Sequence, residues 1–362
     1  MSNTHNLIDA AGRWFLHSGI QATHGGVARY YRSDLGCNAN VSTEITGYAV
    51  SALLFLHQRT GQPEYLDAAL RAARFLTRCA WDPVLRTFPF EHTVNGDGTG
   101  AFAYFFDSGI IVRGLLSAWR ATSEGEFLDT AAAAGRAMLA DFGAPGAIHP
   151  ILALPDKRPL QYQPRWSASP GCYQLKAALA WYDLFESTGQ TEFLRAYEST
   201  VEAAMRSQRD YLPGETDCEK VMDRLHPYVY FLEGLLPVLD RPEYVAVYRA
   251  GVERAAAYLR EIDPQFVRCD VYAQVLRARL YGESMGAIPL NCAAAAEEAR
   301  GAAAFQLESE DPRIAGGFGF GRKAGQSMPF VNPVSTAFAT QALAMWSDRQ
   351  NNALEAGWQA LI

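Results

Sequence analysis

The chain has 362 residues, with 49% hydrophobic and 20% charged residues and a formal net charge of −7. These are the proportions of a globular protein with a large core. The acidic balance argues against a nucleic-acid surface, and no stretch reaches the apolar length of a membrane span. The start, MSNTHNLIDAAGRWF, has neither a basic leader nor a continuous apolar segment, so a cytoplasmic location is expected. Six scattered cysteines without CxxC spacing suit reduced thiols better than a disulfide framework or a structural zinc site.

After a lone helical stretch, LIDAAGRWFLH, the first clear unit is Ser42 to Leu76, STEITGYAVSALLFLHQRTGQPEYLDAALRAARFL. Ile45, Tyr48, Ala49, Ala52, Leu53, Phe55 and Leu56 cover nearly the whole cylinder of a first helix, the pattern of burial on all sides. Gly61 stops that helix. The second alternates Tyr65, Leu66, Ala69, Ala72, Ala73 and Leu76 with Arg71, Arg74 and Arg78, so one face is wet. One helix of the pair is core and the other is wall.

The unit recurs from Ser108 to Leu139 and from Gly171 to Met205, with weaker copies near Pro227, Asp270 and Ser335. Glu44, Asp107 and Pro170, taken as equivalent entrances, are spaced by 63 residues each time. A period this steady predicts a repeat architecture. The last inner helix lacks a full outer partner. If the N-terminal helix supplies it, six helical hairpins close into an all-α (α/α)6 barrel, or toroid, spanning residues 1–362 as a single domain. The turns inside the hairpins (Thr60-Gly61-Gln62-Pro63, Thr122-Ser123-Glu124-Gly125, Thr188-Gly189-Gln190) are short. The segments leading into the inner helices are long, so the site is expected at the end where those loops gather.

Glu44 follows Ser42 and Thr43 at the head of its helix. It either meets the positive end of the helix dipole beside a Ser or Thr cap, or points a carboxylate into the bowl. The segment Trp81 to Asp107 offers Glu91 and His92 at the rim, a turn at Asn95-Gly96-Asp97-Gly98, the aromatics Phe102, Tyr104, Phe105 and Phe106, and then Asp107. Asp107 is either an N-cap or a carboxyl in an apolar pocket whose pKa is raised toward that of a general acid. Arg165 and Trp166 place a cation beside a flat ring, suited to a carboxylate and to a sugar face, although either could serve only the loop.

The run Asp223-Arg224-Leu225-His226-Pro227-Tyr228, expected just before an inner helix, is the densest polar cluster in the chain. It reads as an acid/base His with a carboxylate partner or as a buried ion pair fixing a loop. Asp270 is a third acidic entrance. Gly316 to Arg322 alternates Gly and Phe without the Lys of a phosphate loop, which favours a substrate wall ending in Arg322, with Asn332 at the last entrance. No ligand cluster has metal spacing and no cofactor is called for.

The hairpin wording and the acidic inner-helix entrances resemble the six-hairpin glycosidase-like (α/α)6 barrels, from Leu7 to about Trp346. That superfamily includes unsaturated glucuronyl hydrolases, glucanases, uronate-polymer lyases and sugar epimerases. FFDSGIIVRGLLSAWRATSEGEFLDTA is similar to an inner helix of the unsaturated glucuronyl hydrolases, and this resemblance implies that Asp107 acts as acid/base. The Gly-Gly pair before an inner helix is also similar to terpene-cyclase toroids, but the Asp-rich cyclase motifs are absent.

Three functions follow as expectations. The first is a glycoside hydrolase for a uronate-containing oligo- or polysaccharide, with Asp107 as proton donor and Glu44 or Asp223 as base. Tyr104, Trp166 and Tyr228 would hold the sugar. The second is an epimerase or lyase, in which His226, His92 or a Tyr removes a proton alpha to a carboxylate held by Arg165, Arg224 or Arg322. The third is a non-catalytic glycan-binding toroid. The first is the leading expectation, with an oligo- or polysaccharide substrate as partner and the oligomeric state open.

Overall fold

The computed structural model describes residues 2–92, 102–212 and 218–362, so the turn expected at Asn95-Gly96-Asp97-Gly98 lies outside the described residues. Twelve α-helices occur among them. In order they are α1 (Ser2–His17), α2 (Thr43–Thr60), α3 (Pro63–Phe75), α4 (Phe105–Thr122), α5 (Gly125–Phe142) and α6 (Gln174–Thr188). There follow α7 (Thr191–Ser207), α8 (Cys218–Gly234), α9 (Pro242–Ile262), α10 (Cys269–Ser284), α11 (Cys292–Ala303) and α12 (Pro333–Gln350).

The chain separates into two compact units. One is residues 21–29 and 39–211; the other is residues 1–20, 30–38 and 212–362. The first unit holds three hairpins, α2/α3, α4/α5 and α6/α7, with α4 packed between α2 and α6. Its inner helices are buried almost all round, as in α4 from Phe105 to Leu116. Its outer helices bury one stripe, in α3 Tyr65, Ala68, Ala69, Ala72, Ala73 and Phe75.

The inner helices of this unit touch backbone to backbone. A methyl group on Gly109 would lie 2.4 Å from the Ala177 carbonyl oxygen, and one on Gly114 would lie 2.6 Å from that of Gly47. Each hairpin turn is built the same way. Gly61, Ser123 and Gly189 take left-handed φ of 70°, 60° and 72°. The preceding Thr60, Thr122 and Thr188 donate their hydroxyls to Leu56, Ala118 and Leu184 carbonyls and accept from the amides of Gln62, Glu124 and Gln190. The repeat in the sequence is therefore a repeat of turn chemistry as well as of apolar faces.

In the second unit α8 pairs with α9, α10 with α11, and α12 with α1. The N-terminal helix does supply the missing partner: Trp14 Nε1 donates to the Arg313 carbonyl at 2.9 Å and Gln306 Nε2 to that of Leu7 at 2.7 Å. At the centre, Arg277 on α10 is fully buried and bonded to Glu233 on α8, Gln341 on α12 and the Ile362 carbonyl.

Short two- and three-residue strands tie the long connections together. In the first unit Val41–Ser42 pairs with Glu91–His92, and Phe102–Tyr104 pairs with Ile151–Ala153, which pairs with Arg158–Pro159.

Several expected positions are corrected. Helix α8 begins at Cys218 and runs through Pro227, so Asp223, Arg224 and His226 lie on a helix rather than in the connection before it. Asn332 is a cap: its Oδ1 accepts from the amides of Val334 and Ser335 at 2.9 and 3.0 Å, with Pro333 at the first helical position. Asn332→Ala is expected to cost about 1 kcal/mol in chemical denaturation, and an unchanged midpoint would contradict that role.

Arg322 donates to the Ala304 carbonyl at 2.7 Å and lies 4.5 Å from the centre of the Phe305 ring, which fixes a loop. Tyr228 is buried, with Arg254 stacked 5.8 Å from its ring centre, and belongs to the α8/α9 packing rather than to a sugar platform. No described helix is long and apolar enough to cross a membrane, and five described cysteines are free thiols.

Candidate active site

In the first unit the heads of α2 and α4 open on one cavity of about 300 Å³, lined by Arg29, Glu44, Phe90, Tyr104, Phe106, Asp107, Pro150, Arg165, Trp166, Ser167 and Tyr173. That volume lies at the lower end of ligand pockets. Five expected residues, Glu44, Tyr104, Asp107, Arg165 and Trp166, share it. A second hollow of about 180 Å³, between Ala144–Ile148 and α7, holds no carboxylate.

Local structure explains the aim of each acid. Ser42 is the cap of α2, accepting from the Ile45 amide at 3.3 Å, so Glu44 is released from capping and faces the cavity from the first turn. At α4 the cap position is Tyr104, with no side-chain cap bond. Asp107 therefore stands inside the first turn rather than at the cap. It is 6% exposed, and its Oδ2 has no hydrogen-bonding partner among the described residues. A buried carboxyl oxygen without a partner is costly to the fold.

The electrostatics follow. Burial pushes the Glu44 carboxyl up to about 7, with the Arg29 guanidinium opposing. Burial raises Asp107 well above the usual carboxylate range, the charge of Glu44 raises it further, and Arg29 and its own backbone amide oppose. Two acids that disfavour each other's ionisation share their protons as a pair. Tyr104 is raised by burial and by Asp107, against Arg165 and Arg29.

Arg29 is the residue the sequence reading missed. It stands beside Arg32 in a Gly- and Tyr-rich stretch, and its contacts are with residues distant in sequence. Its guanidinium lies 5.0 Å from the Phe90 ring centre and 3.6 Å from Glu91, which in turn accepts from Asn40 at 2.9 Å. Glu91 thus positions Arg29 and does not line the cavity.

Because Arg29 lowers both carboxyls, Arg29→Gln is expected to move the Glu44 titration above the wild-type value of about 7. Carboxyl-carbon NMR titration would show it, and an unmoved midpoint would contradict the coupling.

His92 sits apart from the cavity lining, edge-on to Phe75 with ring centres 5.2 Å apart and 6.1 Å from His24. Burial and His24 hold its pKa below the ordinary value, so it remains a neutral spacer. Trp166 packs edge-on to Tyr173 at 5.0 Å and to Phe106 at 6.2 Å, which fixes an aromatic wall.

The second unit gathers His226, Arg268 and Asp270. His226 is 4% exposed, and its Nδ1 lies 2.9 Å from Arg268 Nη1. A guanidinium only donates, so Nδ1 accepts and the imidazole proton resides on Nε2. Arg268 also forks onto Asp270, with Nε to Oδ1 at 2.9 Å and Nη2 to Oδ2. His226 thus meets Arg268, a residue absent from the sequence-based candidates. Asp223 and Arg224 lie half-buried on the same helix as His226. Among the described residues no group of three or more His, Cys, Asp or Glu could hold a metal ion.

No protein-family model and no curated protein sequence matches the chain. Solved structures do. A sugar epimerase from a ruminal bacterium is 10% identical, with a TM-score of 0.70 and coverage of 95% of this chain and 98% of that one. Cellobiose 2-epimerase from Spirochaeta thermophila is 15% identical, with a TM-score of 0.68 and coverage of 95% and 96%. An unsaturated glucuronyl hydrolase from Streptococcus agalactiae is 10% identical, with a TM-score of 0.67 and coverage of 95% and 92%. At such identities the likeness establishes architecture alone: the chain has an all-α (α/α)6-barrel fold.

Proposed function

We propose that the chain is a carbohydrate-active enzyme that hydrolyses a glycosidic bond in a uronate-containing saccharide. The observation that carries this is the Glu44–Asp107 pair in one cavity, both acids raised, with Asp107 buried and its Oδ2 unbonded among the described residues. Protonated Asp107 gives its proton to the leaving glycosidic oxygen. Ionised Glu44 takes a proton from water as the water oxygen bonds to the anomeric carbon. Trp166 receives the apolar face of the ring.

The anionic substrate follows from charge. With Asp107 protonated, Glu44 only partly ionised near neutrality and Arg29 facing Glu91, Arg165 supplies positive charge to the cavity that no carboxylate pairs with among the described residues. A guanidinium offers a two-pronged contact to a sugar carboxylate. Oligouronates should be hydrolysed at least about tenfold faster than neutral oligosaccharides in a reducing-end assay, and Arg165→Ala should remove that preference. Equal or preferred turnover of neutral sugars would overturn the substrate class.

One observation favours a second reading, epimerisation. The Arg268-held His226 is a neutral imidazole beside a buried carboxylate, and two of the similar structures are named as epimerases. In that case His226 would remove a proton from a sugar carbon and return it to the other face. The raised carboxyl pair favours hydrolysis.

A further inference from the structure

Beside the cavity, the sheet that carries Tyr104 continues outward. Phe102 and Tyr104 are two residues apart on one strand, so their side chains share a face, while Ala103 between them is buried on the other. The register sets Phe102 opposite Ala153 and Ala153 opposite Arg158, and directly opposed residues also share a face. One row of this face is thus an aromatic ring, a small residue and a cation. The next row inward begins at the cavity with Tyr104.

The chemistry repeats that of the cavity. Phe102 is 37% exposed, so its ring is open to a ligand from solvent. Ala153 leaves an open floor beside it. Arg158 is 79% exposed, and its ion pair to Asp156 at 3.4 Å is exposed as well; a pair of that kind yields readily to a better anion.

We propose that this face is a second sugar subsite, where the next uronate residue of the same chain lays its ring on Phe102 and its carboxylate against Arg158. The inference rests on the uronate-saccharide reading of the cavity. It adds that the substrate is an acidic oligosaccharide of more than one unit, bound across the sheet from Tyr104 to Phe102. Continuity with the cavity and the positive charge of Arg158 select this occupant.

The test is calorimetric binding of mono-, di- and tetra-uronates (galacturonate, mannuronate and glucuronate series) to Asp107→Asn protein at low salt. Affinity should rise about tenfold or more from monomer to tetramer. Adding Phe102→Ala should abolish the gain with length. Adding Arg158→Gln, at a position too exposed to affect folding, should reduce that gain and its salt dependence.

A gain with length that both variants retain overturns the subsite, as does an absence of any gain. If oligouronates bind through Phe102 and the wild type still yields no hydrolysis product, the hydrolytic proposal falls and the subsite stands.

Discussion

Asp107→Asn is expected to lower kcat by about 10²- to 10⁴-fold, the range for loss of a positioned acid/base, while leaving the protein as stable as wild type or more so. The two effects have one origin. The Asp107 carboxyl is buried, unbonded at Oδ2 and close enough to Glu44 to feel its charge, so ionising it opposes folding. Its folded pKa lies above the unfolded value. Between those two values the native state holds more protons than the unfolded chain, and stability falls as pH rises.

The amide of the variant has no proton to lose. The melting temperature of Asp107→Asn relative to wild type should therefore rise from acid pH toward neutrality. Glu44 contributes a similar decline between about 4.5 and about 7. Thermal melts across that range, with kinetics on the same samples, would show activity and stability moving in opposite directions. A variant that loses both together would make Asp107 a structural residue.

Arg277→Met is expected to produce the largest loss of stability, about 3–5 kcal/mol, the usual consequence of stranding one member of a buried ion pair. Arg277 is 0% exposed and Glu233 1%. The guanidinium also donates to Gln341 at 3.0 Å and to the Ile362 carbonyl at 3.3 Å, and stacks 3.9 Å from the centre of the Phe338 ring.

The truncation would leave the Glu233 carboxylate without its Arg277 partner among α8, α10 and α12, against a total stability of about 5–15 kcal/mol. Replacing Glu233 by Leu in the same protein should recover most of the loss, because the desolvated charge is then gone. Urea denaturation of the single and double variants measures this. A single variant within about 1 kcal/mol of wild type would mean that the network is looser than its burial indicates.

The fold was legible in the sequence because its repeat is written twice, in apolar faces and in turns. Ile45 to Leu56 could only be an inner helix, and Thr60-Gly61, Thr122-Ser123 and Thr188-Gly189 mark the same left-handed stop. The head of α8 was not legible, since Pro227 imitates a helix start and the polar residues before it look like a connection, whereas the helix begins at Cys218.

At the site, the acidic heads of α2 and α4 carried the signal for Glu44 and Asp107, and the Arg-Trp pair did so for Arg165 and Trp166. Arg29 and Arg268 were missed for the same physical reason. Each acts through partners brought near by strand pairing or helix packing, as Arg268 meets His226 from 42 residues away in sequence. Asn332 drew notice as a polar residue at an entrance, and its polarity is used by the two amides of α12 it caps.

The central claim is that Asp107 delivers the proton for hydrolysis. The measurement that tests it most directly is mass spectrometry of products formed from an oligouronate in water labelled with heavy oxygen and deuterium, for wild type, Asp107→Asn and His226→Asn. Heavy oxygen at the new reducing end, lost with Asp107 and retained with His226, is the expected result. Deuterium on a sugar carbon without chain shortening, lost with His226 and retained with Asp107, would contradict the claim and assign the chemistry to the histidine cluster.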